Sequence, residues 1–307
     1  MYYIYKSNNG RIEEINTFEP GCWINMVAPS SQELELMVRQ FHVDPSFLNA
    51  ALDVEETSRI EAEDGQTLIV VDVPTTEKED QKVIFETLPL GVITTESCII
   101  TVCTKDTSVV NGFVTGQVRN VHTHMKTRFI LQILYRVATR FLFYLKQIDR
   151  ISKNVEKQLH RSLRNKELIL LLDLEKSLVF FSTSLKANEI TMERMRRGRF
   201  VKMYVEDDEL MEDVLIETKQ AIEMSNIYSS VLSGTMDAFA SVISNNLNIV
   251  MKVLTSITIL MAIPTMISSF YGMNVEGLPV PHFWFPIVLS LAITGIAAIF
   301  LAKKDMF

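Results

Sequence analysis

Two apolar segments near the C-terminus decide the fold: VLTSITILMAIPTMISSFY at residues 253–271 and FWFPIVLSLAITGIAAIFLA at residues 283–302. They contain 19 and 20 residues, and neither contains a charged side chain. At about 1.5 Å per residue, each forms a helix about 28–30 Å long, which matches the hydrocarbon core of a bilayer. The sequence therefore predicts two membrane-spanning helices. A pair of helices buried in a large soluble domain is the alternative.

The charges that flank these segments predict their orientation. Lys252 precedes the first segment, Lys303 and Lys304 follow the second, and the loop at residues 272–282 contains no Lys or Arg. The positive-inside rule then places both termini in the cytoplasm and the loop outside. We expect a multi-pass protein of the cell membrane that contacts lipid through both helices.

The rest of the chain has the composition of a soluble protein. The full chain of 307 residues has 30 Lys and Arg against 37 Asp and Glu, a net charge of −7. This acidic balance argues against nucleic acid as a partner and is compatible with cations. The segments that predict strands are 2–6, 11–15, 22–27, 67–73, 88–94 and 99–103. Ser30 or Ser31 opens a predicted helix to Phe41, and Asp44-Pro45 opens another to Leu52.

A different pattern begins at residue 126, with no proline before Pro264 and apolar residues at helical spacing. It predicts long helices at about 126–160, about 165–196, and from about 203 without a stop signal into the first apolar segment. A helix of that length is not stable alone, so we expect it to pack on other helices or on copies of itself.

One face of the first membrane helix, which we call the seam, has residues that are small or polar, with the exception of Met251. Its members recur at alternating spacings of three and four, which places them on one side of the helix. They are Asn248, Met251, Thr255, Thr258, Ala262, Thr265, Ser269 and Gly272. Small residues favour close helix packing, whereas a water-filled lumen shared by several copies would also need them. The spacing alone does not decide between these two interpretations.

The seam ends at Tyr271-Gly272-Met273-Asn274, and here the sequence resembles the CorA family of magnesium channels. The family has a Gly-Met-Asn triplet after the first of two C-terminal spans, and the order of elements along essentially the whole chain is also similar. The resemblance implies an α+β, multi-domain, funnel-shaped homopentamer. Its implied parts are a cytoplasmic α/β domain at 1–125, a helical hairpin and stalk at 126–247, a pore helix at 248–271, an outer loop at 272–282, a second span at 283–302 and a basic tail at 303–307.

The resemblance also implies roles for individual residues. Gly272 and Asn274 would form an outer selectivity ring, Asn248 a polar ring at the inner mouth, and Leu254 a hydrophobic constriction. The remaining seam residues would line the pore, with Thr265 as a polar step. Glu276 would be an acid of the outer loop. Neutral amides suit magnesium, which gives up its water reluctantly, because they bind the hydrated ion and still release it.

Magnesium is expected to be both the transported ion and a regulatory ligand. In the family, a stalk acid that matches Asp237 binds regulatory magnesium together with carboxylates of a neighbouring subunit. Here Asn49 and Ala50 occupy the places of those carboxylates. Nearby acids that could substitute are Asp53, Glu55 and Glu56.

Other features do not indicate an enzyme. There is no nucleophile elbow, P-loop or dinucleotide motif, and His122 and His124 have no third metal ligand nearby in sequence. Cys22, Cys98 and Cys103 are predicted to be buried reduced thiols, with Cys98 and Cys103 on opposite faces of a strand. Two alternatives stay open: transport of cobalt, nickel or zinc, and a membrane-anchored sensor or scaffold.

Overall fold

The computed structural model describes residues 1–79, 82–162, 165–198, 200–274, 277, 279–280, 282–304 and 306. The chain divides into two compact units, Met1–Ser233 and Gly234–Phe307. The boundary that the sequence predicts at residue 125 lies inside the first unit, where the helices after residue 125 pack on the same sheet. This domain boundary stays a prediction.

The first unit is built on one seven-stranded sheet with the order β2-β1-β3-β7-β6-β5-β4. Its strands are β1 (Tyr2–Asn8), β2 (Arg11–Ile15), β3 (Trp23–Val27), β4 (Arg59–Glu63), β5 (Gln66–Glu79), β6 (Lys82–Thr94) and β7 (Ile99–Cys103). Neighbours β3 and β7 are parallel, and the other pairs are antiparallel.

Helices contact this sheet between and after the strands. They are α1 (Ser31–Phe41), α2 (Pro45–Leu52), α3 (Ser108–Val114), α4 (Lys126–Ser162) and α5 (Asn165–Arg197). Helix α2 contacts β5, β6 and β7, whereas α5 contacts β4, β5 and β6, and α4 contacts β5 and β6. The α/β architecture predicted for the N-terminal region is confirmed.

The side chains of β3 alternate between the two faces of the sheet, and both faces are covered by helices. Ile24 and Met26 belong to an apolar cluster that includes Phe47 of α2. Trp23 points the other way, where its ring lies 5.3 Å from that of Phe129 on α4. A strand buried on both faces reads as a continuous apolar run, and every residue from Trp23 to Met26 is buried.

The helix starts follow the predicted capping chemistry. Ser30 caps α1 and forms a capping box with Glu33, which satisfies free backbone N–H groups at both residues. Asp44 caps α2, where Pro45 occupies the first helical turn. Both predicted helix starts are therefore confirmed.

Three features of the first unit were not predicted. β4 and α3 were missed, and β5 and β6 form a hairpin far longer than the predicted segments 67–73 and 88–94. The two missed elements are polar or short: β4 reads RIEAE at the sheet edge, and α3 has 7 residues. Their formation depends on sheet pairing and helix contacts that a local pattern does not contain.

A buried amide joins α5 to the sheet. Asn188, which is 1% exposed, donates to the Asp72 carbonyl oxygen at 2.8 Å and accepts from the Asp72 N–H at 2.9 Å. Its side-chain oxygen also accepts from the Ser58 hydroxyl at 2.7 Å. One side chain thus satisfies polar groups from two other segments of the chain.

Asn188→Ala is expected to destabilise the protein because it leaves these buried groups without partners. Each such group costs about 1–3 kcal/mol. Thermal unfolding of the full chain in detergent measures the effect as a lower melting temperature. Asn226→Ala is the matched control, since Asn226 is exposed and its side chain accepts only a surface bond from Ser182. Equal melting temperatures for the two variants would contradict this role of Asn188.

Among the residues that the structure describes, two helices are long and apolar enough to cross a membrane. Helix α6 runs over Val205–Tyr271, so it begins in the first unit, and α7 runs over Trp284–Lys303. The predicted unbroken helix that enters the first apolar segment is confirmed. The predicted second helix, at 283–302, is confirmed to within one residue at each end.

Candidate ion pathway

One face of α6 packs on α7. Members of this face are buried or half-buried and recur every three or four residues: Val253, Ser256, Leu260, Ile263, Ile267 and Tyr271. At one end, the Ser256 hydroxyl donates to the Met306 carbonyl oxygen at 3.1 Å. At the other, the Tyr271 ring lies 5.9 Å from the Phe285 ring. The two helices therefore form an antiparallel hairpin with contacts at both ends.

The seam lies on the other side of α6. With about 100° of rotation per residue, its average direction is roughly opposite to the face that packs on α7. All eight seam residues are exposed in the single chain, as is the predicted constriction residue Leu254 at 56%. Helix α7 is thus not the partner of the seam. Within the described chain the seam is therefore open to other copies of the chain, to water or to lipid.

The two threonines in the middle of the seam present hydroxyl oxygens. Thr258 donates its hydroxyl proton to the Leu254 carbonyl oxygen at 2.8 Å, and Thr265 donates to the Met261 carbonyl oxygen at 3.0 Å. These bonds use the protons within the helix and leave the hydroxyl lone pairs pointing outward. Acceptor oxygens at helical spacing suit a hydrated cation, whose water ligands donate hydrogen bonds.

The predicted selectivity motif lies at the end of α6. Tyr271 is the last helical residue, and the Gly272 N–H closes the final turn on the Ser268 carbonyl oxygen at 2.9 Å. Asn274 follows in irregular, exposed backbone. The Tyr271 hydroxyl donates to the Pro279 carbonyl oxygen at 3.0 Å, so Tyr271 fixes the return of the loop. Predicted loop residue Glu276 lies outside the described residues.

The predicted regulatory acids do not form a ready metal site within one chain. Asp53 accepts the Glu55 N–H at 3.0 Å, and Glu56 pairs with Arg59 at 3.4 Å. Asp237 is exposed on α6. Among the residues that the structure describes, no group of three or more His, Cys, Asp or Glu is close enough to hold an ion. Sequence reasoning missed the ion pair of Glu56.

Of the acidic residues at the start of α6, Glu206, Asp208 and Glu209 are exposed to solvent and Asp207 is buried. Asp207 is 4% exposed, and its carboxylate lies 3.7 Å from the Arg128 guanidinium. The buried position of Asp207 shows that this acid is structural, because a buried carboxylate without its cation would be strongly destabilising.

An α/β domain followed by a long helix that enters a two-helix apolar hairpin defines a class of two-span membrane proteins. A family model described as "CorA-like Mg2+ transporter protein" matches residues 19–304. The chain belongs to this family, and the resemblance identified from the Gly-Met-Asn triplet is confirmed.

Individual relatives agree with this assignment. The chain is 27% identical over 288 residues to the cobalt/magnesium transport protein CorA of Methanocaldococcus jannaschii, covering 88% of this chain and 86% of that protein. It is 24% identical over 294 residues to the protein of the same name from Thermotoga maritima, covering 90% and 80%. The solved CorA magnesium transporter of M. jannaschii superposes with a TM-score of 0.81 at 24% identity, over 99% of this chain and 96% of that one. This last likeness shows that the fold is shared over the full length.

Proposed function

We propose that the chain conducts Mg²⁺ across the cell membrane through a pore lined by α6. The observation that carries the proposal is the exposed seam, which lies opposite α7 and ends at Gly272-Met273-Asn274. A sensor or scaffold that used the two spans only for attachment would need neither the polar seam nor the Gly-Met-Asn triplet at its end. Membership of the family and the names of its relatives support the same choice.

The seam also supports an oligomer. Polar side chains are unfavourable against lipid tails, so they face other helices or a water-filled cavity. Several copies of α6 around one axis would direct every seam inward and place α7 outside, next to lipid. We infer a homopentamer, as the family resemblance implies, with both termini in the cytoplasm because Lys252, Lys303 and Lys304 flank the same end of the hairpin.

The residue types suit a hydrated ion. Magnesium prefers octahedral oxygen coordination and loses water reluctantly. A ring of Asn274 amides binds the water shell by hydrogen bonds, and the Thr258 and Thr265 oxygens continue such contacts along the pore. Neutral groups hold the ion less tightly than a ring of carboxylates would, which permits exit. Asn248 and Met251 would stand at the inner mouth.

Ion uptake into vesicles tests this proposal. The purified full chain, reconstituted into lipid vesicles that contain a magnesium-sensitive dye, should admit external Mg²⁺ down its gradient. Vesicles without protein are the control. Parallel assays with Co²⁺, Ni²⁺ and Zn²⁺ identify the preferred ion, and faster transport of one of these would favour the alternative cargo. No uptake of any of them by correctly inserted protein would favour the anchored sensor.

We further propose that cytoplasmic Mg²⁺ closes the pore through acids on the stalk. Copies of Asp237 would approach one another around the axis, and like charges repel. Bound Mg²⁺ would relieve that repulsion with acids of a neighbouring subunit, for which Asp53 and Glu55 are the candidates with no side-chain ion pair in the described structure. Binding stabilises the closed state by about 2.7 kcal/mol per site at a hundredfold excess of ligand over Kd.

Asp237→Ala is expected to weaken the protection that Mg²⁺ gives the cytoplasmic part against proteolysis, with a milder effect for Asp53→Ala. The measurement is the Mg²⁺ concentration at half-maximal protection, read from limited digestion. Glu223→Gln is the control, since it removes an exposed acid from the same helix. An unchanged midpoint for Asp237→Ala would place the sensor elsewhere, with the acids at 206–213 as the next candidates.

A further inference from the structure

Two cysteines lie side by side in the core of the first unit. Strands β3 and β7 are parallel and pair Trp23 with Ile99, so Cys22 and Cys98 occupy the adjacent position on each strand. The Ile99 N–H donates to the Cys22 carbonyl oxygen at 3.2 Å, which extends the pairing to this position. Both thiols are free and fully buried in the same apolar cluster.

The two sulfur atoms have different electrostatic environments. The hydrogen bond with the Cys22 thiol lowers the pKa of Cys98, and burial opposes this shift. Bonds from Thr95 and Ser97 and the charge of Lys126 also lower the pKa of Cys98. The hydrogen bond with Cys98, together with burial, raises the pKa of Cys22. Of the two thiols, Cys98 is therefore the one that ionises more readily.

A cavity of about 660 Å³ borders the turn that precedes Cys98, and Thr95, Glu96 and Lys126 are among its lining residues. Thr95 Oγ1 lies 3.4 Å from the Cys98 sulfur. The Lys126 ammonium donates to the carbonyl oxygens of Thr95 and Glu96 at 2.7 and 2.6 Å, across the turn that precedes Cys98. Both thiols are fully buried, so an oxidant in this cavity reaches the Cys98 sulfur when that turn opens.

We propose that Cys22 and Cys98 form a reversible redox site that a hydroperoxide oxidises to a disulfide. The Cys98 thiolate attacks the peroxide, whose O–O bond breaks, and this yields a sulfenic acid and, after protonation, water or an alcohol. The Cys22 sulfur then attacks the Cys98 sulfur, so that the S–S bond forms and the S–O bond breaks. The Cys22 proton leaves with the hydroxide as water, both sulfurs are oxidised, and the peroxide is reduced.

Cys103 provides an internal control. It lies an odd number of residues after Cys98 on the opposite face of β7, and its thiol donates to the Pro89 carbonyl oxygen at 3.4 Å. Burial raises the pKa of Cys103, so this thiol stays protonated. Non-specific oxidation, or oxidation of denatured protein, would affect all three cysteines. Oxidation at the proposed site affects Cys22 and Cys98 and leaves Cys103 reduced.

Peroxide titration of the purified full chain tests the proposal. After treatment with H₂O₂ the protein is denatured, free thiols are alkylated, and peptides are analysed by mass spectrometry with and without reductant. We expect a Cys22–Cys98 linked peptide that reductant separates, while Cys103 is alkylated. In Cys22→Ser, dimedone should trap Cys98 as its sulfenic acid. In Cys98→Ser, oxidation of Cys22 should be slower by about tenfold or more, because no thiolate is formed.

Three results would overturn the proposal. One is alkylation of all three cysteines after a peroxide dose that oxidises exposed methionines of the first unit such as Met125, which is 48% exposed. Another is a disulfide that includes Cys103. The third is oxidation of Cys98 beyond the sulfenic acid in the unmutated chain without linkage to Cys22. The unmutated chain alone yields each of these results, so the test does not depend on the folding of a variant.

Discussion

Asn274→Ala is expected to abolish selective Mg²⁺ uptake while leaving assembly unchanged. Asn274 lies exposed just beyond the end of α6, at the end of the seam, where its amide is free to meet an ion. A hydrogen bond to a charged partner contributes about 1.5–3 kcal/mol, so the loss of even one member of the ring lowers ion binding about tenfold or more. Every copy in an oligomer loses its amide at once, which makes this the largest effect that we predict.

The measurement is the initial rate of Mg²⁺ entry into vesicles that contain equal amounts of inserted protein. Val280→Ala is the matched control, because it shortens an exposed side chain of the same loop, outside the motif, without removing an amide. The apparent mass of the detergent-solubilised oligomer should be the same for both variants. Normal uptake by Asn274→Ala would falsify the assignment of this residue to the selectivity ring.

Leu254→Ser is expected to give a pore that stays permeable when cytoplasmic Mg²⁺ is high. Leu254 lies at the edge of the seam, one turn before Thr258, and is 56% exposed in the single chain. A ring of leucines excludes water from a narrow pore, and a ring of serines does not. The substitution therefore removes the barrier to the hydrated ion without removing the acids proposed to sense Mg²⁺.

Uptake into vesicles preloaded with Mg²⁺ at increasing concentration measures this effect. The unmutated protein should slow as internal Mg²⁺ rises, and Leu254→Ser should not. Ile257→Ser makes a similar change on a side of α6 away from the seam, so its response should remain like that of the unmutated protein. If Leu254→Ser were inhibited at the same internal Mg²⁺ as the unmutated chain, the constriction would lie elsewhere.

The sequence predicted the membrane hairpin better than the sheet. Runs without charge at 253–271 and 283–302 are decisive because a bilayer requires a minimum apolar length. The capping residues Ser30 and Asp44 are similarly local signals. β4 and the far end of β5 have few apolar residues, so an alternating apolar pattern does not mark them, although both belong to local hairpins. The far end of β6 includes the apolar residues Val83, Ile84 and Phe85, and this signal was overlooked.

The same distinction applies to the candidate site. Periodicity identified the seam, but only the position of α7 shows that the seam is free within the chain. The bonds from Ser256 to Met306 and from Tyr271 to Pro279 were not predicted, because each joins a helix residue to a backbone carbonyl outside it. The pairing of buried Asp207 with Arg128 was likewise not predicted, because the two residues are far apart in sequence.

Block of Mg²⁺ uptake by a thiol reagent tests most directly whether ions pass along the seam. Thr258→Cys places a thiol on the exposed seam, and Ile263→Cys places one on the half-buried face that packs on α7. The three native cysteines are buried in the first unit. A small, positively charged, water-soluble methanethiosulfonate should stop Mg²⁺ uptake through Thr258→Cys, and a reductant should restore it, while uptake through Ile263→Cys continues. Equal inhibition of both variants, or of neither, would contradict a pore lined by this face of α6.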